Sequence, residues 1–121
     1  MVLHEQSVGT LTIFTPEGKL LNTMQYEDFR RRLHDLIDNG MTGAVFDMSK
    51  VDRVNSTGIS MLIVGLKIFR EACGDLRLAN LVGIAYKVIV ATCGLGKVFE
   101  IYDSVDEAVA SFQQRGCLLP T

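Results

Sequence analysis

The sequence predicts an α/β domain, with a mixed β-sheet of about four to five strands packed with four helices in one domain over residues 1–121. Three observations carry that prediction. Beyond residue 20, short apolar runs of strand length alternate with helical stripes, the pattern of repeated βα units with right-handed crossovers between parallel strands. Two strand-like runs around Val8-Gly9 precede them, and an opening hairpin makes the sheet mixed. The 121 residues, 48% hydrophobic and 21% charged, suffice for a core and are too apolar for a disordered chain.

Residues 2–7 and 10–15 form the predicted hairpin; in its second strand Leu11 and Ile13 alternate with threonines, and Pro16-Glu17-Gly18 breaks the pattern. Asn22 with Gln25 makes a capping box for the first helix. Tyr26, Phe29, Leu33, Leu36 and Ile37 stripe that helix, Gly40 ends it, and His34 lies off the stripe among charged residues. The run Gly43 to Asp47 is apolar without alternation, which suits a parallel strand covered on both faces. A short basic loop then leads to a second helix over 57–73. Only Ser60, Lys67, Arg70 and Glu71 of it are polar, so it must be largely buried, and Gly74 is its expected stop. Residues 75–80 alternate like another strand. A third helix spans 83–93 with Tyr86, Ile89, Val90 and Cys93 facing the core, and 97–102 is the last strand. Ser104 with Glu107 gives a second capping box, followed by a stripe of Val105, Ala108, Val109 and Phe112 and a stop at Gly116.

The same residues exclude most chemistry. A net charge of −2 without a basic stripe argues against nucleic acid, and no apolar stretch approaches a membrane span. Three cysteines, an odd number without a C-x-x-C, argue for thiols in a reducing compartment rather than a disulfide framework or a metal site. With no signal-like N-terminus, the expected location is the cytoplasm. Only His4 and His34 could serve a nucleophile as base, and phosphate-binding glycine motifs are missing; Gly94-Leu95-Gly96-Lys97 is too short and precedes a strand. The reading is therefore a binding protein, not an enzyme, with no cofactor and no metal. A receiver domain phosphorylated on Asp47 would need an acidic pair after the first strand, where the chain has Ile13-Phe14-Thr15-Pro16-Glu17-Gly18.

What remains is Val45 to Ser60. Asp47 ends a strand, the place beyond which the crevice of such sheets lies. Asn55-Ser56-Thr57-Gly58 opens the buried helix. One hydroxyl suffices as a cap, so two hydroxyls followed by a glycine suggest a further role. Asp47 is expected to accept hydrogen bonds from loop amides. A phosphate on Ser56 would sit at a helix N-terminus, where anions are stabilised, near Lys50 and Arg53. A second apolar stripe on the third helix, Ile84, Val88 and Ala91, suggests a partner-binding or self-association surface, such as a homodimer.

The stretch VFDMSKVDRVNSTGISMLI resembles the signature of STAS-domain proteins, especially the anti-sigma factor antagonists of bacteria. PEGKLLN, GDLRLANL and CGLGKVFEIYDSVDEAVASF extend the resemblance over nearly the whole chain. It implies the STAS fold and a phosphoprotein that regulates transcription by partner switching. The unphosphorylated form binds an anti-sigma factor that is also a serine kinase, with ATP bound by that partner, and so releases sigma factor. Phosphorylation of Ser56, with Thr57 the second choice, switches binding off, and a PP2C-type phosphatase reverses it. Asp47, Ser49, Asn55 and Gly58 would shape the loop. The chain differs at Asn55, where the family often has aspartate, and at Leu21, where it often has an acidic residue. The alternative is a STAS scaffold or regulatory subunit of a transporter or stress-signalling complex, without a serine switch.

Overall fold

The computed structural model describes residues 2–19, 26–54, 56–92, 94 and 98–112. In order they form β1 (Val2–Val8), β2 (Leu11–Lys19), α1 (Tyr26–Asp38), β3 (Gly43–Asp47), β4 (Val51–Arg53), α2 (Ser56–Glu71), β5 (Asp75–Ala79), α3 (Gly83–Tyr86), β6 (Ile101–Tyr102) and α4 (Val105–Phe112). The α3 helix continues as a π-helical segment, Lys87–Thr92. The expected capping box at Asn22 and Gln25, Lys97 of the Gly94 stretch, and the stop at Gly116 lie outside the described residues.

The sheet has six strands in the order β1-β2-β3-β5-β6, with β4 pairing to β2 off that path. The β1–β2 pair is antiparallel and the others are parallel. The mixed architecture with four helices is thus the one the sequence predicts. The strand beyond the expected four to five comes from β4 and from an underestimate of β2. Pro16-Glu17-Gly18 does not end β2, which runs on to Lys19, with Pro16 opposite Leu3 of β1. The ladder to β3 stops at Phe14, so on that side no partner needs the N–H that Pro16 lacks. The prolonged β2 then gives β4 its partner, Gly18 opposite Val51.

One face of the sheet carries the main core. Phe14 and Phe46 stack with ring centroids 5.0 Å apart, and Phe29 of α1 meets both edge-on. Leu33 and Leu36 of α1 and Met61, Leu62, Leu66 and Phe69 of α2 complete it with Leu76 and Leu78. Each such side chain is worth about 1.5–3 kcal/mol when fully buried. The opposite face is covered by α4, whose Ala108 sits against Ile13, Val45 and Ala79. Ser104 accepts the Glu107 amide at its Oγ, 3.1 Å, as an N-cap should.

Cover on both faces explains why β5 is buried at all five residues instead of alternating. Arg77 lies beneath α4, 3% exposed, with its guanidinium 4.3 Å from the centroid of the Phe112 ring. Its Nε donates to Asp75 Oδ2 (2.9 Å), its Nη1 donates to Ser111 Oγ, and Asp75 Oδ1 accepts from Arg70 Nε of α2 (3.1 Å) and from the Leu76 amide (3.0 Å). Asp75 therefore ties α2 to β5, and Arg77 ties β5 to α4.

The end of α2 differs from expectation. The left-handed residue is Cys73 (φ 65°), not Gly74. Gly74 is needed for space, since a methyl there would collide with the Thr42 carbonyl oxygen. Cys73 is exposed and disulfide-bonded, contrary to the expectation of free thiols: an odd cysteine count excludes complete pairing but not one pair. The third helix keeps part of its expected face inward, with Ile89 buried and Val90 packed against the core, while Cys93 lies outside the described residues. Ala85 and Ile89 are buried, whereas Tyr86, expected in the core, is 49% exposed, because the segment from Lys87 leaves α-helical periodicity. Finally, β6 is two residues long, with Phe99 buried ahead of it in a turn.

Candidate functional site

The carboxyl ends of β2, β3 and β5 converge on the segment between Asp47 and α2. Asp47, half-buried, ends β3 opposite Ala79. Its Oδ1 accepts the Ser49 amide at 3.1 Å, closing a side-chain turn on its own loop. The same oxygen accepts Asn80 Nδ2 at 3.0 Å, which clasps this loop to the β5–α3 connection. Asn80 takes φ 56°, a left-handed conformation that asparagine tolerates, and its amide donates to the Tyr102 carbonyl oxygen at 3.1 Å. The Met48 amide donates to the Ala79 carbonyl oxygen at 2.9 Å, so the clasp has a backbone member as well.

Beyond the clasp the loop is pinned to β2. The Gly18 amide donates to the Lys50 carbonyl oxygen (2.9 Å), and Val51 is buried. Val54, half-buried, packs against the main core. This anchoring delivers the chain to α2, whose first residue is Ser56. Thr57 is half-buried, and Gly58 is buried. Asn55 and the Ser56 side chain lie outside the described residues. Sixteen residues of α2 direct their aligned peptide dipoles so that the positive end lies at Ser56, and no acidic side chain in the first turn offsets it. In the loop that precedes it, Lys50 Nζ is 3.9 Å from Glu17, and Arg53 Nε is 3.6 Å from Asp52, both pairs exposed. The helix end thus favours an added anion, and each of the two loop cations already faces a carboxylate.

Beside the clasp lies an apolar patch that the sequence did not reveal. Val82, just before α3, is 61% exposed, and Tyr86, the last residue of α3, is 49% exposed. A regular period assigned Tyr86 to the core, and Val82 sat in no stripe at all. Of the other residues singled out on that helix, Ala91 is exposed, Val88 is half-buried and packs against the core, and the Ile84 side chain lies outside the described residues. Among the described residues no group of three or more His, Cys, Asp or Glu side chains could hold a metal ion, and no helix is long and apolar enough to cross a membrane.

The STAS domain model matches residues 3–108. The chain belongs to the STAS domain family. Solved STAS structures share its fold at low sequence identity. An anti-sigma factor antagonist from Mycobacterium paratuberculosis is 16% identical over 93% of each chain, with a TM-score of 0.74. The Bacillus cell fate determinant SpoIIAA in its phosphorylated form is 14% identical, covering 91% of this chain and 98% of that one, with a TM-score of 0.70. A sulfate transporter family protein from Wolinella succinogenes is 16% identical over 88% of each chain, with a TM-score of 0.72. No curated relative matches the sequence. In this STAS domain, then, Asp47 and the start of α2 stand at the carboxyl edge of a family fold that antagonists and transporter proteins share.

Proposed function

We propose that this STAS domain is an anti-sigma factor antagonist controlled by reversible phosphorylation of Ser56, with Thr57 as the second acceptor. The observation that carries the reading is the start of α2. A hydroxyl residue opens a sixteen-residue helix without first-turn acids, directly after a loop held by Asp47, Ser49 and Asn80. A phosphate adds about −1.5 to −2 charges. At a helix N-terminus that charge is tolerated by the fold, so its effect falls on whatever docks over the loop. The domain acts by binding and not by catalysis. An anti-sigma factor serine kinase supplies its own ATP, binds the unphosphorylated form and thereby releases sigma factor; a PP2C-type phosphatase resets the switch. Asn55 completes the loop the partner meets, and Gly58, buried in the first turn of α2, shapes the helix start behind it. The docking face continues onto Val82 and Tyr86 and along the helix that carries Ile84, Val88 and Ala91. The structural likeness to SpoIIAA in both unphosphorylated and phosphorylated forms supports this choice among STAS activities.

The likeness to a sulfate transporter family protein favours a second reading, a regulatory STAS module without a serine switch. One experiment separates the two. Incubation with a cognate anti-sigma kinase and Mg-ATP should add one phosphate, located on Ser56 by mass spectrometry. Ser56→Ala should abolish it and keep binding. Ser56→Asp should weaken binding by roughly tenfold or more, equivalent to about 1.4 kcal/mol, with Tm nearly unchanged. Wild-type affinity in Ser56→Asp would remove the switch and leave the second reading.

A further inference from the structure

The edge of the sheet at β1 plays no part in the partner-switching reading and stands independently of it. Among the described residues β1 pairs with β2 alone, over seven residues without a bulge. An open row of backbone groups is a template for another strand, and natural edges are blunted by lysines, prolines, bulges or short length. β1 has none of these. Which of its groups point outward follows from β2. The Thr10 carbonyl oxygen accepts the Thr42 amide, and the Gly18 amide donates to the Lys50 carbonyl oxygen, so even positions there address β3 and β4. Odd positions of β2 then address β1, and their partners Val8, Gln6 and His4 turn inward. Leu3, Glu5 and Ser7 present their amides and carbonyls to the open edge. Every residue from His4 to Val8 is exposed. The charges among them are already answered within the chain. Arg32 holds Glu5 with two parallel hydrogen bonds, of 2.7 Å and 3.0 Å, and His4 meets Glu17.

We propose that this edge pairs with the same edge of a second copy of the chain, antiparallel about a two-fold axis through Gln6. It is a different surface from the apolar stripe of the third helix. Outward groups must meet outward groups, so odd positions face odd positions. An axis at Glu5 would set two carboxylates directly opposite each other, which is destabilising. An axis at His4 would bring two imidazoles together and put Glu5 opposite Leu3. An axis at Gln6 puts Glu5 opposite Ser7 of the second copy, whose hydroxyl donates to the carboxylate that Arg32 orients. Gln6 meets itself, as a side-chain amide that both donates and accepts. Val8, 39% exposed, comes beside the His4 ring of the second copy. The two-fold axis makes the Glu5–Ser7 and Val8–His4 contacts twice, which an unrelated strand has no reason to do. The paired stretch flanks Leu11 to Thr15, while the loop before Ser56 is anchored at Gly18, so pairing leaves that loop open. Such an edge contact is small, and the dimer is weak and concentration-dependent.

The test is sedimentation of the intact chain over a concentration series. The average mass should rise from the 13.4 kDa of one chain toward twice that value. Ser7→Pro removes an outward N–H that β2 does not use, a change that an edge strand tolerates. It should weaken the dimer by roughly tenfold or more, with Tm little changed at concentrations where the wild type is monomeric. If that variant fails to fold, Ser7→Glu sets a second carboxylate against Glu5 and should weaken the dimer in the same way. Gln6→Cys reads the register. Its Cα should lie about 4.5 Å from its counterpart, within reach of a disulfide. Mild oxidation should therefore link the tryptic peptide 1–19 to itself, as mass spectrometry can show. A mass that stays monomeric up to millimolar concentration overturns the proposal. So does a dimer that the folded Ser7 variants leave as tight as wild type. A dimer in which the Gln6→Cys peptides do not link does the same, since another surface or register then joins the copies.

Discussion

The two ends of the parallel strands are joined by only about 15 Å of sheet, yet they are held in different ways. At the amino ends, Asp75 takes hydrogen bonds from Arg70, Arg77 and the Leu76 amide, and Arg77 is clamped between the Phe112 ring and Ser111. One helix and a strand meet there on one carboxylate, and Arg77 carries the tie on to α4. At the carboxyl ends, Asp47 accepts from Ser49 and Asn80, half-buried, beside Val82 and Tyr86 that face solvent. The first arrangement fixes helices against a sheet. The second fixes a loop and leaves its surroundings open. The same residue type, aspartate at a strand end, thus serves rigidity at one end and presentation at the other.

Asp75→Ala should break the contrast most severely. It leaves Arg77, 3% exposed, without its carboxylate. Removing one partner of a buried pair costs about 3–5 kcal/mol, a large part of the 5–15 kcal/mol typical for a domain. Urea unfolding should show that loss as a lower midpoint. A cost below about 1 kcal/mol would mean that the ion network does not hold α2 and α4.

Asp47→Ala should cost less, about 1–3 kcal/mol, since it removes two hydrogen bonds to a half-buried carboxylate. Its larger signature should be local. The Ser49 amide, which donates to Asp47 in the wild type, should exchange its hydrogen markedly faster, while amides of β5 slow or quicken only with the global stability. If the two sets accelerate equally, the loop is not an independent unit and the contrast between the ends is lost.

The rigid end contains one defect. Thr12, near the start of β2 and 1% exposed, is the residue among those described whose buried side-chain oxygen has no hydrogen-bond partner. Valine has the same shape and nothing to satisfy. Thr12→Val should therefore stabilise the fold by about 1 kcal/mol and raise Tm by roughly 4 °C, measured by calorimetry. A lower Tm would show that the hydroxyl is engaged.

Much of this contrast could not be read along the chain. Helices α1, α2 and α4 were legible because each buries one stripe or nearly its whole surface, and periodicity reports burial directly. The stretch from Asp47 to Ser56 was legible as a strand end followed by hydroxyls at a helix start. Its clasp was not, since Asn80 lies 33 residues from Asp47 and nothing local marks the pair. Asp75 and Arg77 looked like the solvent face of an alternating strand until α4 covered that face. Strand β4 is three residues long, and its pairing depends on β2 continuing through a proline. Tyr86 was misplaced because α3, which it ends, changes period one residue later.

Val82 offers the smallest effect on the fold and the sharpest separation of the two ends. At 61% exposure it contributes little to the core. Val82→Asp should change the unfolding free energy by no more than about 0.5 kcal/mol. If the open end is a docking face, the same change places a charge in an apolar contact next to the Asp47 loop, and affinity for the kinase partner should fall by roughly tenfold or more. The pair of measurements is what discriminates. Lost affinity at constant stability assigns the patch to recognition. Lost stability would put Val82 in the core and make the carboxyl end as much a part of the packing as the Asp75 network. Neither loss would confine recognition to the loop itself, with Ser56 at its edge and α3 outside the contact.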